Sequence, residues 1–445
     1  MSETTDIERD TDELVERSQR AALRLANADE ATRNAALRSI ADALRANEAA
    51  ILEANARDVE AAEEMLERGE YTQALVDRLK LDAAKLDDIA QMVESVAEQD
   101  DPLGRTLAAR ELDEGLELFR VSVPIGVVAT VFESRPDALV QIAALALKSG
   151  NAVILKGGSE ASESNRVLHR VIREATADLP GGWAGLVEAH EEVDRLLERD
   201  DAVDLVMPRG SSEFVSYIQG NTQIPVLGHT EGICHVYVDD DADLEMAADV
   251  AFDAKVQYPA VCNAVETLLV NESVAPEFLP GLVERYEAAG VELRGDAATR
   301  EIVDVDAATD DDWDTEYGDL ELSIKLVDDV YEAVEHVNAH GSKHTESIVT
   351  EDRSAADAFM TGIDAASVFH NASTRFADGY RYGLGAEVGI STGKVHARGP
   401  VGLEGLTTYK YYLEGDGHLV ASYSGEDALP FTHRELDAEW TVGGE

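Results

Sequence analysis

Apolar positions in the first hundred residues recur at three- and four-residue spacing, as across 21–49, with Ala, Leu, Glu and Arg dominating. That period lays one apolar stripe along a helix, and no glycine precedes Gly69 and no proline precedes Pro102 to break it. The pattern predicts a set of amphipathic helices packed on something larger. From about Leu116 short apolar runs take over, at 123–132, 152–156, 204–207, 224–227 and 235–238. Helix-length segments at 137–148, 159–175, 211–219 and 244–257 separate them. Such runs fit strands buried on both faces, so the alternation predicts βαβ units around a largely parallel sheet. A second series, with strands near 266–270, 323–327, 347–350 and 367–371, predicts a second α/β lobe in tandem. Residues 376–406 are glycine-rich and hardly helical, and 407–412 reads as a Thr- and Tyr-rich strand. That strand has no place in the second sheet and is expected to pair with another element, a second subunit included. The last twenty residues read as a polar, partly mobile tail.

Composition changes the picture in one respect. Ninety acidic residues against 37 basic ones give a net charge of −53 in 445 residues. A hydrophobic fraction of 44% is too high for a disordered acidic chain, and the carboxylates are spread rather than gathered in one block. Adaptation to high salt is the expectation, supported by a basic set in which only nine residues are lysine. The same balance argues against a nucleic-acid partner, because phosphate contacts need a basic surface. Two cysteines exclude a disulfide framework, and no run of eighteen apolar residues offers a membrane span. A cytoplasmic protein without a membrane partner is expected.

Candidate chemistry is sparse. Cys262, in Gln257-Tyr-Pro-Ala-Val-Cys262, falls between a predicted helix and a predicted strand, where a thiol faces a cleft as a nucleophile or merely fills core space. Cys234 heads a strand and reads as core. The eleven histidines show no ligand spacing, so no metal site is expected. Lys156-Gly157-Gly158-Ser159 follows a strand and opens a helix, which suits a phosphate or ribose but equally a turn that needs glycine. No Gly-x-Gly-x-x-Gly fingerprint accompanies it. Arg135 and Arg375 are candidate clamps for a carboxylate or phosphate, or else structural ion pairs.

Longer strings carry a resemblance. Val123-Pro-Ile-Gly-Val-Val128, Phe132-Glu-Ser-Arg-Pro-Asp137, Leu147-Lys-Ser-Gly-Asn-Ala-Val-Ile-Leu-Lys-Gly-Gly158 and Cys262-Asn-Ala-Val-Glu-Thr267 resemble the γ-glutamyl phosphate reductase family. So do Asn371-Ala-Ser-Thr-Arg-Phe-Ala-Asp-Gly379, Gly383-Leu-Gly-Ala-Glu-Val-Gly-Ile-Ser-Thr392 and the run from His396 to Lys410. The likeness spans about Glu13 to Tyr412. It implies the aldehyde dehydrogenase fold, with a variant Rossmann domain that binds NADPH or NADP without the glycine fingerprint. Domains are then expected at 1–238 for the cofactor, 239–400 for the catalytic cysteine and 401–425 for an oligomerisation strand, with a hairpin near 107–124 and a tail at 426–445. The implied reaction is NADPH-dependent reduction of γ-glutamyl phosphate to glutamate 5-semialdehyde in proline biosynthesis, through a thioester on Cys262. Lys156, Gly157, Gly158, Ser159, Gly210, Ser211 and Glu316 would hold the cofactor, and Arg135, Asn263, Asn371 and Arg375 the substrate. Hydrolytic relatives carry a glutamate base ahead of the cysteine; alignment puts Thr230 there, with Glu231 next to it. The resemblance further implies a homo-dimer or tetramer and possible channelling from glutamate 5-kinase.

Overall fold

The structure, a computed structural model, describes residues 2–133 and 135–441. Its first sheet has the spatial order Ala184–Leu186, Ala152–Lys156, Val127–Phe132, Leu205–Arg209, all parallel. The chain enters at Val127–Phe132, steps outward on one side, then crosses back to the other. That reversal leaves a crevice beyond the C-terminal ends of the strands, where α/β sheets bind ligands. Every residue of Val127–Phe132 and Ala152–Lys156 is buried, as sheets covered on both faces require.

The helical opening resolves into Ser2–Leu25, Glu30–Ala46, Glu48–Glu67, Gln73–Leu79 and Ala83–Glu98. Asp29 and Asp82 start two of them by accepting the backbone N–H of Thr32 and Lys85, each at 2.7 Å. Buried charge fastens this layer to the sheet. The Arg33 guanidinium, 2% exposed, pairs with Asp101 at 2.6 Å and also donates to the Lys148 carbonyl. The Lys148 ammonium in turn reaches Glu30 at 3.0 Å and Asn34 at 2.9 Å.

The second sheet has seven parallel strands in the order Asp306–Ala307, Glu292–Gly295, Glu321–Val327, Val265–Asn271, Cys234–Val238, Thr345–Val349, Ser367–His370. Strand Cys234–Val238 lies inside this sheet, so an expected boundary at 238 falls on its wrong side. Lateral pairing, invisible in the chain order, decides which sheet a strand joins. Residues 224–227 are not a strand but make one isolated bridge, Val206 to Val226. The short strands Ala184–Leu186 and Glu292–Gly295 have too few residues to show a pattern.

A third sheet is antiparallel. The hairpin Thr106–Asp113 and Leu116–Pro124 takes Thr407–Glu414 along its second strand and Arg434–Glu435 along its first. The 407 strand thus finds its partner within the chain, in register from Thr407 opposite Pro124 to Glu414 opposite Glu117. The tail is also tied down at Trp440, which stacks on Tyr412 with centroids 4.0 Å apart and donates its backbone N–H to the Thr106 hydroxyl at 2.7 Å. Among the described residues no helix is long and apolar enough to cross a membrane.

Candidate active site

Cys262 sits in the turn between the helix Leu244–Val256 and the strand Val265–Asn271. Asp243 caps the helix start, and Pro259 lies in the turn that follows its end. The neighbouring strand grips that turn. The Cys234 thiol donates to the Cys262 carbonyl at 3.2 Å, and burial pushes its pKa well up, so it stays protonated to do so. Gly232 packs its α-carbon against the Cys262 backbone so closely that a side chain there would collide. Cys262 itself is partly exposed and unbridged.

Parallel pairing aligns the N-terminal ends of Val265–Asn271, Cys234–Val238 and Thr345–Val349. The segments leading into them deliver Cys262, His229 and His344 to one place. The Cys262 sulfur and one nitrogen from each imidazole all lie within 4.8 Å of one another. His229 Nδ1 faces the Ile390 carbonyl at 3.1 Å, a contact that needs its proton and leaves Nε2 with a free lone pair. His344 is 1% exposed; its Nδ1 is 2.9 Å from the Thr345 hydroxyl and its Nε2 has no partner. Burial holds the His229 pKa below its ordinary value. His229 thus stands beside the thiol, one residue before Thr230, whose carbonyl accepts from the Ser212 hydroxyl. Neither histidine carries a signal in its own segment, because three strand ends must first be placed side by side.

Two cations act on the thiol. Arg209 ends the strand Leu205–Arg209, 3.9 Å from Glu387, with 23% of its side chain open. Burial lowers its pKa, while the charges of Glu387 and Cys262 oppose that and Arg135 adds to it. Arg375 is 8% exposed and donates to Gln257 at 3.0 Å; burial lowers its pKa too, and Cys262 is again among the charges it feels. Asn263 is buried, donates to the Ala377 carbonyl at 2.8 Å and leaves its amide oxygen without a partner. Asn371 differs. Held at a φ of 55°, it spends both ends of its amide on the Thr350 backbone, at 2.9 and 3.1 Å. Arg209, Glu387 and Gln257 carry no signal in the sequence, since an isolated charged or amide residue at a strand end, a helix end or in a loop looks like surface.

On the first sheet, Lys156, Gly157, Gly158 and Ser159 leave one strand end while Gly210 and Ser211 leave another. Lys156 is 7% exposed. Gly157 lies flat against Asn165 and the Phe132 ring, leaving no room for a side chain. Ser211 precedes the helix Ser212–Gly220, and its N–H donates to the Glu133 carboxylate at 3.3 Å, so a carboxylate already stands at this helix start. Glu316 acts electrostatically on His229 and on Glu266. A separate cavity of about 610 Å³, lined by Asp100, Arg105, His396 and Arg398 among others, is not lined by the residues around Cys262.

Strand ends from two parallel sheets facing one thiol define the class. The model of the aldehyde dehydrogenase family matches residues 4–304, and the chain belongs to that family. Within it, the relatives are of one kind. Gamma-glutamyl phosphate reductase from Natronomonas pharaonis is 70% identical, covering 99% of this chain and 100% of the relative. That of Haloquadratum walsbyi is 65% identical over 99% of both chains, and both sources are halophilic archaea. The crystal structure of gamma-glutamyl phosphate reductase from Thermotoga maritima superposes with a TM-score of 0.89 at 44% identity, covering 92% of this chain and 99% of that one.

Proposed function

We propose that the chain reduces γ-glutamyl phosphate to glutamate 5-semialdehyde and phosphate with NADPH, as a step of proline biosynthesis. The observation that carries this reading is Cys262, partly exposed at the meeting of two sheets and within electrostatic reach of Arg209 and Arg375. Two guanidinium groups suit a substrate with a carboxylate at one end and an acyl phosphate at the other. The Cys262 thiolate attacks the acyl carbon, the carbon–oxygen bond to phosphate breaks, and a thioester remains. NADPH, when bound, supplies a hydride to the thioester carbon. The backbone N–H of Cys262 supports the resulting oxyanion, and its collapse breaks the carbon–sulfur bond, releases the aldehyde and restores the thiolate. Arg209, Arg375 and Arg135 hold the substrate's anionic ends, and the unpaired amide oxygen of Asn263 accepts from its ammonium group. Asn371 acts through its backbone turn rather than its amide.

The cofactor side fits a dinucleotide. Gly157 and Gly210 let the backbone lie close at two strand ends, and Glu133 shows that the Ser211 amide attracts an anion. Lys156 and Ser159 would take the adenosine ribose, Gly158 the turn beside it, Gly210 and Ser211 the pyrophosphate, and Glu316 the nicotinamide ribose. Residues up to about 233 then form the cofactor domain, and the seven-stranded sheet forms the catalytic one.

A plain aldehyde dehydrogenase is the second reading, and His229 is what favours it, because a neutral imidazole beside the thioester can activate water. The test is NADP reduction with glutamate 5-semialdehyde in molar salt. Phosphate-dependent turnover supports the reductase, and turnover that ignores phosphate supports the hydrolytic reading instead. Cys262→Ala should abolish turnover while cofactor binding, followed by tryptophan fluorescence, persists; an active variant would remove the thioester from the mechanism.

A further inference from the structure

We infer that Cys262, His229 and His344 form a binding site for a divalent transition cation of the zinc class, and that its occupation switches the enzyme off. The donor set is one sulfur and two imidazole nitrogens, within 4.8 Å of one another. In a tetrahedral zinc site bond lengths of about 2.0–2.3 Å bring such ligands somewhat closer than this. At the 4.8 Å limit the required contraction is about 1.3 Å, which rotation of the partly exposed Cys262 side chain and small shifts of the rings supply. The fourth position then faces the cleft and takes water or chloride.

Two observations separate this group from a chance cluster. His344 Nε2 is a buried ring nitrogen with no hydrogen-bond partner, an expense that a ligand would remove. The Nδ1 of His229 is engaged by the Ile390 carbonyl, and that of His344 by the Thr345 hydroxyl and, at 3.8 Å, the Cys234 thiol, contacts that orient each ring as outer contacts of metal ligands do. The charge balance is permissive: Arg209 and Arg375 oppose a cation, and Glu316 and Glu387 act on His229 with the opposite sign.

Binding converts the Cys262 thiol to a metal thiolate and releases its proton, and the sulfur that bonds the metal can no longer attack an acyl phosphate. The site therefore competes with acylation, whatever the acyl group. This inference needs Cys262 and the two histidines but not the proposed substrate.

Cobalt(II) added to the full-length chain in molar potassium chloride tests it. The expected result is one equivalent bound, with a near-ultraviolet sulfur-to-cobalt charge-transfer band and the intense visible bands of a tetrahedral ion. Cys262→Ser should abolish the charge-transfer band, and Cys234→Ser should leave it. His229→Asn and His344→Asn should each weaken zinc binding, measured by competition against cobalt, by about tenfold or more, the loss seen even for outer contacts. Thermal melts of the apo variants identify any that fails to fold, and His229, being partly exposed, supplies the second test if His344→Asn does. Octahedral spectra, binding that survives Cys262→Ser, or affinity unmoved in folded histidine variants would overturn the site. A chain inactive on glutamate 5-semialdehyde that still binds cobalt this way refutes the proposed reaction and leaves the site standing.

Discussion

Lys255 and Glu266 are both fully buried and meet at 2.6 Å, two residues whose charges gain little over a well-packed apolar pair. Burial lowers the lysine pKa and raises that of Glu266 to about 7, against the pull of Lys255. Glu266 also accepts from Gly318 N–H at 3.3 Å, which holds the loop that carries Glu316. Lys255→Met strands the carboxylate, at a cost of about 3–5 kcal/mol when it is charged. In that variant folding keeps a proton on Glu266 that the unfolded chain releases above the ordinary value of 4.5, so stability falls as pH rises. Denaturation midpoints should show a larger loss at pH 8 than at pH 6; an equal loss at both would contradict this. His336 works in the other direction. Burial first, then His235 and His340, hold its pKa down at about 2, against 6.5 unfolded. The unfolded chain binds the extra proton below pH 6.5, so this contribution is lost as pH falls from there. His336→Gln should flatten the decline of the denaturation midpoint between pH 7 and 5, and parallel declines would exclude the residue as its source.

At the scale of elements, the strand Thr407–Glu414 is the outermost of its sheet, paired to Leu116–Pro124 on one edge. Tyr409, Tyr411 and Leu413, at alternate positions and so on one face, are 50%, 57% and 58% exposed. An open edge with exposed aromatics is a liability unless something covers it. A second copy of the chain is the proposed cover, which makes the protein a homo-oligomer. Tyr411→Lys with Leu413→Lys should therefore halve the mass found by light scattering, or reduce it further. A native chain that is already monomeric, or a variant of unchanged mass, would remove this strand from any interface.

For the whole molecule the controlling quantity is the net charge of −53. Exposed pairs such as Arg57 with Glu53 and Arg353 with Asp357 are each worth at most about 1 kcal/mol and do not offset it. Screening does, since the Debye length shrinks from about 30 Å at 0.01 M salt to about 3 Å at 1 M. Melting temperature and activity should both fall when the protein is moved from molar salt to dilute buffer. Identical values in the two would show that the acidic surface has no such role.

Much of this was legible in the chain. Apolar runs buried on both faces, such as Ala152–Lys156 and Val265–Asn271, mark parallel strands in any order, because burial alone writes that pattern. The strings around Cys262 and Gly157 carried the family, since they are long and depend on no pairing. What the tertiary structure decided is adjacency. Cys234–Val238 joins the second sheet, and Thr407–Glu414 returns to a hairpin nearly three hundred residues earlier, by lateral hydrogen bonds that leave no local trace. The same is true of the site. Cys262 was visible as a thiol before a strand, but His229 and His344 reach it only when three parallel strands align their N-terminal ends. Periodicity records which face of an element is buried, and only the packed sheet determines which side chains meet beyond its edge.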